Sequence, residues 1–122
     1  MNKYALQAVQ KDLPQIVPDA QLHCFESAES ALAFAEVHGC DVLLTEIELW
    51  NDPHGGVRLA ERIKELSPRV HIIFVTVCTE KEVASELSGL RIDGFLPKPW
   101  PSEALASVFR NLPYPVKPRT IM

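Results

Sequence analysis

The sequence predicts an α/β domain built on a parallel β-sheet with helices on both faces. Three observations carry this. Amphipathic helical stripes and short apolar runs alternate strictly along the chain. Two of those runs, VLLTEI at 42–47 and HIIFV at 71–75, are almost unbroken, as strands buried on both faces are. The stretches between runs are long enough for the helical crossovers that parallel strands require.

The elements follow in order. Residues 3–13 place Ala5, Val9 and Leu13 four apart, with Leu6 and Ala8 alongside and Lys3, Gln7, Gln10 and Lys11 opposite. This is an amphipathic helix, and Pro14 and Pro18 are expected to close it. Residues 20–25, AQLHCF, alternate as a short strand. Ser27 is placed to cap a helix that carries Ala28, Ala31, Leu32 and Ala35 on one side, and Gly39 to end it. After the strand at 42–47 comes a loop, ELWNDPHGG, rich in turn chemistry. Val57, Leu59, Ala60, Ile63 and Leu66 make a second helical stripe, stopped by Pro68. The strand at 71–75 is followed by a weaker helix over 80–88, closed by Gly89. Gly94-Phe95-Leu96 is a short strand, and Ser102 opens a last helix through Arg110.

Bulk properties narrow the function classes. A chain of 122 residues fits one domain, residues 1–111, with 112–122 as a C-terminal linker or tail. Such a domain buries somewhat under ~70% of its extended-chain surface, enough to fold without staples. The net charge is −4 with both signs dispersed, which argues against direct nucleic-acid binding. Cys24, Cys40 and Cys78 form no CxxC pair and suit a reducing, cytoplasmic setting. No apolar run approaches the ~18 residues of a membrane span, and the N-terminus has no signal-peptide core.

In open parallel sheets, function gathers at the carboxyl ends of the strands. Thr45-Glu46, Thr76 and Lys98 are the polar residues that fall there. Taken singly, Glu46 is equally a solvated strand-end carboxylate, Thr76 a β-favouring residue, and Lys98 a solvated turn lysine. Taken together they suit a phosphoryl site, with a carboxylate to accept the group, a hydroxyl for one oxygen and an ammonium for another.

With these residues the chain resembles the response-regulator receiver domain, of the chemotaxis-regulator-like, flavodoxin-like fold. DVLLTEIEL is similar to the receiver strand that bears the phosphate-accepting aspartate, with Asp41 as the earlier acid and Glu46 at the acceptor position. HIIFVT resembles the fourth receiver strand with its hydroxyl residue, Thr76. GFLPKP resembles the fifth, with Phe95 at the switch-aromatic position and Lys98-Pro99 as the lysine–proline pair. The spacing of 22 from Thr76 to Lys98 fits, and the resemblance covers nearly all of residues 2–110. It also implies a cis bond between Lys98 and Pro99.

The chain departs from the family pattern in three places. Receivers begin with a strand ending in two acids that hold Mg²⁺, and NKYALQAVQKDL matches the segment just after it. That first strand and its acidic pair are therefore expected to fall before Met1, leaving a gap between the strands at 20–25 and 42–47. An exposed gap invites pairing with another chain, so a homodimer or strand swap is expected. Glu46 stands where the family has aspartate, and Leu49-Trp50 where Met-Pro is common. Asp52 and His54 are metal-ligand types on one loop, which alone make no site.

The resemblance thus implies a two-component signalling module rather than an enzyme. The expected form is a phosphorylation-independent pseudo-receiver acting through protein contacts, with Glu46 paired to Lys98. Its partners would be a sensor histidine kinase or an effector domain, with transcription regulation if the effector binds DNA. No cofactor is expected, and Mg²⁺ is implied only with an upstream acidic pair. The alternatives are a phospho-accepting receiver truncated at its N-terminus and a small-molecule-binding α/β domain. The last lacks a phosphate-cradling loop, since Gly55-Gly56 is too short.

Overall fold

The computed structural model describes residues 3–17, 21–25, 27–47, 54–76, 91–97, 100, 102–112 and 120–121. Among the described residues, five parallel strands form one sheet: β1 (Gln21–Leu22), β2 (Val42–Glu46), β3 (His71–Thr76), β4 (Gly94–Pro97) and β5 (Thr120–Ile121). Their order across the sheet is β1-β5-β2-β3-β4. The described helices are α1 (Lys3–Ile16), α2 (Ala28–His38), α3 (Gly55–Leu66) and α4 (Ser102–Arg110). The helix expected over 80–88 lies outside the described residues.

Alternation along β2 and β3 divides the core into two layers. Leu43, Ile72 and Phe74 point to one side, where Ala31, Ala35, Ala60 and Ile63 of α2 and α3 meet them. Val42, Leu44, Ile73 and Val75 point to the other, against Val9 and Leu13 of α1 and Leu105 and Phe109 of α4. Both faces of the central strands are therefore covered, which is why their sequences are apolar without a break.

Three element ends differ from the sequence reading. α1 continues past Pro14 to Ile16, and Val17 N–H still donates to Leu13 C=O at 2.9 Å. Proline removes one helical bond, but Leu13 is buried and Ile16 and Val17 pack on the same core, so burial carries the chain through. β1 is shorter than 20–25, because it pairs with the two residues of β5. His23 and Phe25 leave the ladder and pack their rings on Phe34. The third difference is β5. Residues 112–122 were expected as a tail and the slot between β1 and β2 as a gap. Thr120 and Ile121 lie in that slot, pairing with Gln21 and Leu22 on one side and with Val42 on the other.

Candidate functional site

The carboxyl ends of three strands are level. Glu46 at the end of β2 is in register with Val75 of β3, Val75 with Leu96 of β4, and Thr76 with Pro97. Adjacent strands lie ~4.8 Å apart, so positions 46, 76 and 97 share one small region of the sheet end. Two of the residues singled out in the sequence, Glu46 and Thr76, are thereby brought together. Lys98 and Pro99 follow Pro97 directly in sequence but lie outside the described residues, as does the isomer of the bond between them. The expected pairing of Glu46 with Lys98 shares that limit. Asp41, five residues before Glu46, is at the other end of β2, where its carbonyl accepts the His71 N–H at 2.9 Å.

The end of β2 is held from two directions. Thr45 is the buried polar residue of the described core, and its hydroxyl donates to the Glu46 carbonyl at 3.1 Å. Gly56, in the first turn of α3, donates its N–H to Ile47 C=O at 2.8 Å. A Cβ at position 56 would overlap the carbonyl of Glu46, so the start of α3 presses directly on the backbone that carries the Glu46 side chain. Glu46 itself is half-buried. The sequence marked Gly55-Gly56 only as turn chemistry, and a close backbone approach leaves no other signal in a single sequence.

Phe95 lies on β4, half-buried against the α2–α3 layer. Its ring centroid is 6.3 Å from that of Phe74, tilted by 36°, within the range of favourable aromatic pairs. His54 is exposed and precedes α3 without a side-chain cap, and Trp50 and Asp52 lie outside the described residues.

A second polar group, missed in the sequence, sits at the opposite end of the sheet. The Asp93 carboxylate is 5% exposed, 3.6 Å from His71 Nδ1 and 3.8 Å from Arg91 Nε. Its Oδ2 accepts the Ile72 N–H at 3.0 Å, and Asp93 N–H donates to Ile72 C=O at 2.9 Å. These bonds tie the entry to β4 onto the start of β3, a structural task remote from Glu46.

The model of the response regulator receiver domain matches residues 5–110. This chain belongs to the receiver-domain family. As a receiver it is a module of two-component signalling, a class that works through protein partners such as kinases and effectors. No curated protein matches the chain. The sheet order agrees with the receiver's flavodoxin-like order 2-1-3-4-5, with β5 in the place of the family's first strand. Glu46 then ends the strand beside the point where the order reverses, the usual position of a ligand crevice in such sheets.

Receivers that take up a phosphate use Mg²⁺, which needs a near-octahedral set of oxygen ligands. Among the described residues no group of three or more His, Cys, Asp or Glu side chains stands close enough to hold a metal. Among them, too, no helix is long and apolar enough to cross a membrane.

Proposed function

We propose that this receiver is a pseudo-receiver, a signalling module that acts through protein contacts without accepting a phosphate. The observation that carries the reading is Glu46 at the end of β2, level with the end of β3 that bears Thr76. A glutamate there places a permanent carboxylate one methylene further out than aspartate would. It offers part of the charge and acceptor capacity of a phosphoryl group without the group itself. The family pattern implies Lys98 as the cation to pair with this carboxylate, and Thr76 and Pro99 as the other pocket residues. By family analogy Phe95 is the aromatic that links the pocket's state to the contact face, which the same analogy places within residues 80–110.

On this reading the module needs no cofactor and has a sensor kinase or an effector as its partner. It regulates transcription where that effector binds DNA. Its cytoplasmic placement follows from the habit of the family. A phospho-accepting receiver remains the rival, since family membership alone favours it.

The two are separated by incubating the protein with Mg²⁺ and acetyl phosphate and measuring intact mass. The expected mass is unchanged, and an added phosphoryl group sinks the proposal. In the same preparation, Glu46→Gln is expected to shift the Lys98 Nζ resonance and weaken partner binding. If both stay as they were, the pairing of Glu46 with Lys98 is wrong.

A further inference from the structure

β4 has little of its own to hold it in register. It runs for four residues, Gly94–Pro97, and stands at one end of the order of described strands, beside β3. Glycine in a strand leaves register weakly specified, and proline brings no N–H to the ladder. Register matters here all the same. Phe95 packs on the α2–α3 layer, and the fully buried Leu96 packs on the layer of α1 and α4. A slip of one residue would exchange the two faces. It would also shift the end of the strand by ~3.3 Å. That end sets Pro97 level with Thr76, and Lys98 is the next residue in the sequence.

Asp93, the residue before β4, supplies the restraint. Its N–H donates to Ile72 C=O at 2.9 Å, and its Oδ2 accepts the Ile72 N–H at 3.0 Å. One residue thus takes both backbone groups of a single residue on β3, and a carboxylate serves where a ladder would use a carbonyl. A slip in either direction breaks both bonds at once. The bond to the carboxylate is charge-assisted and so among the stronger kind. The neighbouring cations act more weakly on it. His71 Nδ1 at 3.6 Å and Arg91 Nε at 3.8 Å lie beyond the ~3.2 Å reach of an N–H···O bond, and Arg91 is exposed, where an ion pair contributes little.

Gly94 adds a second restraint of opposite kind. A Cβ there would stand 2.9 Å from Val108 Cγ1 on α4 and 3.7 Å from Ile73 Cγ1. A slip of one residue would bring Asp93 or Phe95 to that seat, against a β-branched side chain with little freedom to turn. Gly94 disfavours the neighbouring registers, and Asp93 selects the one that remains.

We infer that Asp93 is a positioning residue for the sheet end: by pinning the start of β4 to Ile72 it holds Phe95 in the α2–α3 layer and Pro97 level with Thr76, from the opposite end of the strand. The inference rests on the pairing of β3 with β4 and on neither reading of Glu46.

The test is made by NMR on the full chain with three variants. Asp93→Asn keeps an acceptor oxygen of the same reach and loses the charge. Asp93→Glu keeps the charge and moves the oxygens out by a methylene. Asp93→Ala removes both. In Asp93→Ala the Ile72 amide is expected to exchange roughly 10- to 100-fold faster, the loss of a bond to a charged group. The contacts between the Phe74 and Phe95 rings should weaken and the Thr76 amide resonance should shift, while the amides of Leu43–Thr45 exchange as before. Asp93→Asn should restore all of these and Asp93→Glu should not. Equal acceleration in β2 and β3 would make Asp93 a general stabiliser and overturn the inference. So would Phe95 and Thr76 signals left unmoved in Asp93→Ala. If Asp93→Ala does not fold, the other two variants decide, and restoration by Glu but not by Asn overturns the inference.

Discussion

Position 56 has room for no side chain at all. A methyl group there would stand 2.7 Å from the Glu46 carbonyl carbon and closer still to its oxygen, and both partners are backbone that cannot swing aside. Gly56→Ala is expected to destabilise the domain by ~1–3 kcal/mol, the usual range for overpacking. A urea midpoint equal to that of the unaltered protein would show that α3 does not press on the end of β2. The residues of the sheet end were legible in sequence because the apolar runs stop at them, at Glu46 and Thr76. The packing of Gly56 was not, since two adjacent glycines are equally a loose turn. Nor was the role of Asp93, whose bond to the Ile72 N–H depends on which strand lies beside which.

Among the elements, α2 is bounded by chemistry that is entirely local. Ser27 Oγ accepts the Ser30 N–H at 3.1 Å. Gly39, at φ +73°, donates its N–H to Ala35 C=O at the other end. Both caps were readable in sequence because each is decided within four residues. Ser27→Ala is expected to cost ~1 kcal/mol of stability, seen as a lower midpoint in chemical unfolding with an unchanged slope. No change at all would mean that the cap contributes nothing here. Elements whose limits depend on distant partners were less legible. Pro14 marks the end of α1 by local rules, but the burial of residues on either side of it decides otherwise. β1 has the alternation of a six-residue strand, but its pairing with β5 gives it two.

Across the whole molecule, the sheet's central strands, its parallel sense and its two covering layers all followed from the alternation of apolar runs and helical stripes. β5 did not, because two residues form no periodic pattern and the segment before it reads as a linker. Yet this strand joins β1 to the rest of the sheet. Ninety-nine positions separate Gln21 from its partner Thr120, whereas β3 and β4 pair across a much shorter crossover. Contacts of such separation are slow to form, because loop closure precedes any gain from pairing. The order of assembly should therefore run outward from β2, β3 and β4, with β1 left undocked until β5 arrives. In a pulsed hydrogen-exchange experiment during refolding, the amides of Ile72–Val75 should gain protection well before that of Leu22. Simultaneous protection would contradict this. The middle of the finished sheet is, on this view, the last part of it to be made.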